Sequence, residues 1–113
     1  MKNYKIETYL PMENVPAMIN ALRSCIANQI GNYRNCFSWY PVSSAWTSLE
    51  NASPYIGTPG TISNASEMKI EFLCHENKVS EVIDVIRKNH PYEEPVINIL
   101  PMYTAYDWKE NRN

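Results

Sequence analysis

A strand-then-helix pattern occurs twice in this chain, and few folds accommodate the repeat. Set at one constant offset, Tyr4-Lys5-Ile6-Glu7 falls on Met68-Lys69-Ile70-Glu71. Without a gap, Val15 then falls on Val79, Met18 on Val82, Ile19 on Ile83, Leu22 on Ile86 and Arg23 on Arg87. Each copy begins with residues alternating between two faces, the period of a half-buried strand. Each continues with apolar residues at i, i+3, i+4 and i+7, the single stripe of an amphipathic helix.

Read in order, the first strand is Tyr4–Leu10, closed by Pro11. Glu13 or Asn14 can cap the first helix, where Pro16 fits only in the opening turn. Its stripe is Val15, Met18, Ile19, Leu22, Cys25 and Ile26, and Gly31 is the expected stop. Cys36–Trp46, rich in aromatic and β-branched residues, reads as a long strand bent near Pro41. Thr47–Asn64 reads as a long loop. Met68–Cys74 is the next strand, Asn77–Asn89 the second helix with Asn77 as its cap, and Val96–Leu100 a last edge strand between two prolines. The tail is polar except for Tyr103, Tyr106 and Trp108, which predicts that it folds back or packs on a neighbouring chain.

The order is β-α-β followed by β-α-β. Two one-striped helices must cover the same sheet face, and right-handed crossovers then leave one economical arrangement. It is an α+β, ferredoxin-like sandwich: a four-stranded antiparallel sheet with both helices on one side. The opposite face is expected to carry Tyr9, Leu73 and members of either the Phe37/Trp39 or the Tyr40 set, an apolar surface that calls for sister subunits.

At 113 residues the chain reads as one domain, 1–113. A net charge of −2 gives no basic footprint for nucleic acid or for an anionic membrane surface. No apolar run reaches the length of a membrane span, and the polar MKNYKIETYL start reads as strand, not leader. Three cysteines, Cys25, Cys36 and Cys74, without a paired spacing, predict free thiols and a cytoplasmic chain.

Chemistry concentrates in His90-Pro91-Tyr92-Glu93-Glu94-Pro95. An imidazole beside two carboxylates can ligate a divalent ion, with a further ligand drawn from elsewhere. It can equally be architecture, since a histidine at a helix C-terminus bonds free carbonyls and prolines stiffen the exit. Cys36 is either a soft ligand or a small buried hydrophobe, and Gly31-Asn32-Tyr33 is explained by turn geometry alone. His75 is expected to be exposed. No phosphate-cradling glycine pattern and no nucleophile–base set can be assembled.

The His90–Pro95 segment, with Ile97, Leu100-Pro101 and the aromatic tail, resembles the CutA divalent-cation-tolerance family. Ile30–Tyr33, Cys36-Phe37-Ser38, Ser53–Gly57, Lys69–Glu71 and His90–Pro95, in that order, are still more similar to the domain inserted in bacterial Ngg-interacting-factor-like two-metal proteins and to its free-standing relatives. The resemblance implies a CutA/PII-like fold and a homotrimer with ligands at subunit clefts. The histidine-rich metal domain of the two-metal proteins has no counterpart here, so their hydrolase-like chemistry is not carried over. The chain is therefore expected to be a non-catalytic trimer that takes a divalent ion, copper or zinc, or a small ligand, in metal tolerance or signalling. His90 and Glu93 are the metal candidates, and Tyr33, Cys36, Tyr92 and Glu94 the ligand-binding ones. The alternatives are a structural or interaction module without a ligand and, third, an enzyme related to the two-metal family.

Overall fold

Two helices lie across one face of a four-stranded sheet, as the repeat requires. The structure, a computed structural model, describes residues 2–111. Its elements are β1 (Asn3–Leu10), α1 (Val15–Leu22), β2 (Gln29–Ile30), β3 (Tyr33–Arg34), β4 (Ser38–Thr47), β5 (Ile62–His75), α2 (Val79–Asn89), β6 (Ile97–Met102) and α3 (Ala105–Asn111). The main sheet has the order β4-β5-β1-β6, antiparallel throughout, while β2 and β3 form a separate small hairpin. This is the ferredoxin-like arrangement of the α+β class.

The two repeated strands are neighbours. Ile6 pairs with Phe72 and Thr8 with Ile70, and the repeat exchanges one pair for the other, so a pseudo-two-fold axis passes between them. Even-numbered residues of both strands point at the helices. Ile6, Leu10, Met18, Leu22, Ile70, Val82 and Ile86 are completely buried there. Each such aliphatic side chain contributes about 1.5–3 kcal/mol on leaving water. Thr8, also fully buried, donates its hydroxyl to the Val96 carbonyl at 2.8 Å.

Three boundaries differ from the sequence reading. The first helical run ends earlier, at Leu22 with a 3-10 turn to Cys25, because Ile26 adopts φ 50°. A β-branched residue in the left-handed region is uncommon. Here it turns the chain so that Asn28 can be buried completely. Gly31, at φ 58°, opens the two-residue turn of the β2–β3 hairpin instead. The long loop is shorter than expected, because β5 starts at Ile62 and pairs with β4 as far as Thr47. The cap of α2 also differs: a 3-10 turn, Glu76–Lys78, leads into it and no side chain caps it.

The open face of the sheet carries Tyr9, Tyr40 and Leu73, as expected, but it is not apolar throughout. Its centre is ionic. Glu7 sits directly opposite Glu71, a repulsive pairing on its own. Lys69 reaches Glu7 at 3.0 Å and Lys5 reaches Glu71 at 3.0 Å, which offsets it. Burial alone would raise the Glu7 pKa, but bonds from Lys69 and Asn98 more than compensate and hold it below the usual value. Phe37 is absent from this face; it packs edge-on against Phe72 in the core, with ring centroids 4.9 Å apart. Trp39 turns to the helix side, over Val15 and Ile19 of α1.

Candidate ligand cleft

The His-Pro-Tyr-Glu-Glu-Pro turn begins where α2 stops. Pro91 disfavours the helical conformation in the residue before it, and His90 leaves the helix extended, at φ −90° and ψ 135°. That exit aims the imidazole at the end of β1, where Nε2 donates to the Tyr9 carbonyl at 2.8 Å. Nδ1 accepts the Tyr92 N–H at 3.2 Å, which fixes the tautomer. Burial lowers the pKa of His90, against the opposing pull of its bond to Tyr9 and the charge of Glu67. The ring is thus a neutral clamp between α2, β1 and the turn.

Tyr92 follows from that clamp. Its ring lies 4.9 Å from His90 and 6.1 Å from Tyr55 of the β4–β5 loop. Its hydroxyl donates to Glu67, and burial together with this bond raises the Tyr92 pKa. Glu93 then accepts the Ser53 N–H at 2.7 Å. Three strands and one loop meet around an open cleft of about 400 Å³. Tyr9, Trp46, Tyr55, Glu67, Tyr92 and Glu93 line it, together with Glu94 and Val96.

Of the sequence candidates, Tyr92, Glu93 and Glu94 come together here, with His90 behind them. Tyr33 and Cys36 do not join them within one chain. Tyr33 is exposed on β3, and Cys36 is held by Asn28, whose side chain receives the Cys36 N–H at 2.9 Å and donates to Cys36 and Leu73 carbonyls. From Leu73 back to Glu67 is about 20 Å along β5. The expected copper or zinc does not fit the arrangement at His90 and Glu93. Both imidazole nitrogens are already bonded, so neither offers a lone pair without undoing the turn. Among the described residues no three His, Cys, Asp or Glu side chains gather as a cation-binding group.

Glu67, Trp46, Tyr55 and Tyr9 are the site residues that reading the sequence overlooks. Their signal is present: alternation in Met68–Cys74, continued backwards, puts Glu67 on the outer face with Tyr9. His75, expected to be exposed, is half-buried between the Gln29 N–H and the Asn3 side chain. Neither imidazole ring bonds a hydroxyl or thiol among the described residues. Cys25 and Cys74 are buried and free, and burial pushes the Cys74 thiol up to about 11.

The sequence profile of the CutA1 divalent ion tolerance protein family matches residues 23–111. The chain belongs to that family. Among solved structures, this chain is similar to the periplasmic divalent cation tolerance protein CutA from Archaeoglobus fulgidus, at TM-score 0.67 and 21% identity over 93% of this chain and 87% of the other. It is also similar to a Bacillus cereus protein related to NIF3, at TM-score 0.78 and 22% identity, covering 91% of this chain and 26% of that one. At these identities the likeness establishes the CutA/PII-like fold. A Staphylococcus epidermidis protein named GTP cyclohydrolase 1 type 2 homolog is 31% identical over 99 residues, 88% of this chain and 27% of its own length. The chain thus spans about a quarter of the length of such curated relatives. Among the described residues no helix is long and apolar enough to cross a membrane.

Proposed function

We propose that this chain is a non-catalytic, homotrimeric, cytoplasmic CutA-like protein, a single domain over 1–113, that binds a small organic ligand beside the His90–Pro95 turn and acts in tolerance or signalling through it. The observation that carries the reading is the cleft itself: four aromatic side chains and a buried carboxylate around about 400 Å³, a volume and composition suited to a small molecule. Of the two occupants expected from the sequence, an ion or an organic ligand, the geometry supports the second, because the imidazole is committed to holding the turn. Assembly is supported by the exposed aromatic residues Tyr103, Tyr106 and Trp108 around α3 and by a two-stranded arm with no cover of its own. Tyr33 and Cys36 enter the ligand site only from a neighbouring subunit.

The commitment of the His90 imidazole to the Tyr9 carbonyl and the Tyr92 N–H supports a holding role for that ring over a catalytic one. Light scattering after gel filtration is expected to return the mass of three chains, and calorimetry with a panel of small organic ligands, zinc and copper is expected to give heat with an organic ligand. A mass of one chain removes the trimer, and flat traces for every organic compound remove the binding role.

A further inference from the structure

Glu67 is an unusual occupant of the cleft wall. It is 6% exposed, yet among the described residues it has no ion pair. The nearest lysine along its own strand face, Lys69, is committed to Glu7 at 3.0 Å and Glu71 at 3.8 Å. Oε2 of Glu67 accepts the Tyr92 hydroxyl; the other oxygen has no hydrogen-bond partner among the described residues, and the residue lines the cleft. A carboxylate withdrawn from water normally has a cationic partner, because desolvating the charge is costly.

The rest of the lining points the same way. Among the described residues none of the lining side chains is a lysine, arginine or histidine, while Glu93 and Glu94 add negative charge at the rim. The walls are the rings of Tyr9, Trp46, Tyr55 and Tyr92. Aromatic faces carry negative quadrupole density and attract cations, most of all where water is thin. The fold already uses this interaction next door: the Lys69 ammonium stands 5.8 Å from the centre of the Tyr9 ring.

We propose that the cleft selects a small organic monocation, a protonated amine or a guanidinium on a flat apolar body, with Glu67 taking the charge and Trp46, Tyr55 and Tyr92 enclosing it. This inference rests on the ligand-binding reading above and adds the ligand's charge to it. Ring packing and the Tyr92 bond hold the Glu67 carboxylate in place before a ligand arrives, so little ordering accompanies binding. A neutral ligand of the same shape leaves the free oxygen without a counter-charge. An anionic one meets three carboxylates.

The test is calorimetric titration of the full chain with benzylammonium, phenylguanidinium, benzyl alcohol and benzoate, repeated on Glu67→Gln and Tyr55→Leu. Glutamine can still accept the Tyr92 hydroxyl, and equal thermal midpoints of the variants verify folding. The expected result is that the two cations bind and benzoate does not. Glu67→Gln weakens cation binding about tenfold or more and leaves benzyl alcohol within about twofold, while Tyr55→Leu weakens the cations by a smaller factor. If benzyl alcohol binds as tightly as benzylammonium, the cleft binds ligands but does not select charge, and the inference falls alone. If no compound binds and Glu67→Gln lowers the assembled mass, the carboxylate serves a neighbouring chain instead, and both the inference and the ligand reading fall.

Discussion

Of the two bonds of the His90 ring, a second ring proton would break one: Tyr92 N–H points at Nδ1 and cannot face another N–H. Burial lowers the His90 pKa below its ordinary value of 6.5. The unfolded chain therefore takes up this proton at a higher pH than the folded chain. Stability is fully retained above the ordinary value and falls as pH drops through the lowered one. The melting temperature is expected to decline on acidification below about pH 6.5, and His90→Gln, which cannot titrate, should show a shallower decline over the same window. Equal slopes from a pH series of thermal melts would count against the clamp. Asn28 is the other residue that one position decides. It is fully buried and bonds the Cys36 N–H, the Cys36 carbonyl and the Leu73 carbonyl. Nothing in Ala27-Asn28-Gln29 marks it beforehand, because its partners lie 8 and 45 residues away.

At the scale of elements, the strands and helices of the repeat are legible because local periodicity and global packing agree there. The even-numbered residues Ile6, Ile70 and Phe72 alternate with charged ones, and no alternative sheet buries them all. The β4–β5 hairpin is where sequence reading stops short. Ile62–Glu67 contains Ser63, Asn64, Ala65 and Ser66, residues of low strand propensity, and pairing with Val42–Thr47 overrides that preference. Missing those strand residues also hides Glu67, and with it the cleft. Pro95 and Pro101 are read correctly as marking an edge strand, since β6 is an outer strand, although it runs through Pro101 to Met102. The loop joining β4 and β5 depends on Gly57, whose φ is 98° and whose added Cβ would fall 2.1 Å from Ser63 Oγ. Gly57→Ala is expected to cost about 1–3 kcal/mol in denaturant unfolding. It should also displace Tyr55 and so weaken any cleft ligand. Unchanged stability and unchanged binding would mean that the loop accommodates the methyl group without moving.

The whole molecule is drawn out, 53 × 28 × 23 Å, because β4 and β5 run on together after β1 has ended. Pairing of β1 with β5 stops at Met68, and beyond it the ribbon lacks a third strand. Such a two-stranded ribbon is barely stable by itself in water. If sister chains cover it, amide exchange at Ile62–Ser66 is expected to be slow at high protein concentration and to quicken on dilution, while Met68–Cys74 stays protected throughout. Fast exchange of the arm at every concentration would mean that no neighbour rests on it. The other end of the molecule is fastened differently. Asn3 Nδ2 donates to Asp107 Oδ2 at 2.5 Å, and Asp107 also accepts the Thr104 N–H and hydroxyl, so the first strand and the last helix are stitched together. A short peptide bridge across that stitch would make the backbone a ring, and the ring can then be cut at an exposed bend such as Gly31-Asn32 without disturbing the sheet. On that geometry the connectivity is expected to be portable: the packed unit should accept a new starting point, or a place within a host loop whose two stems stand side by side.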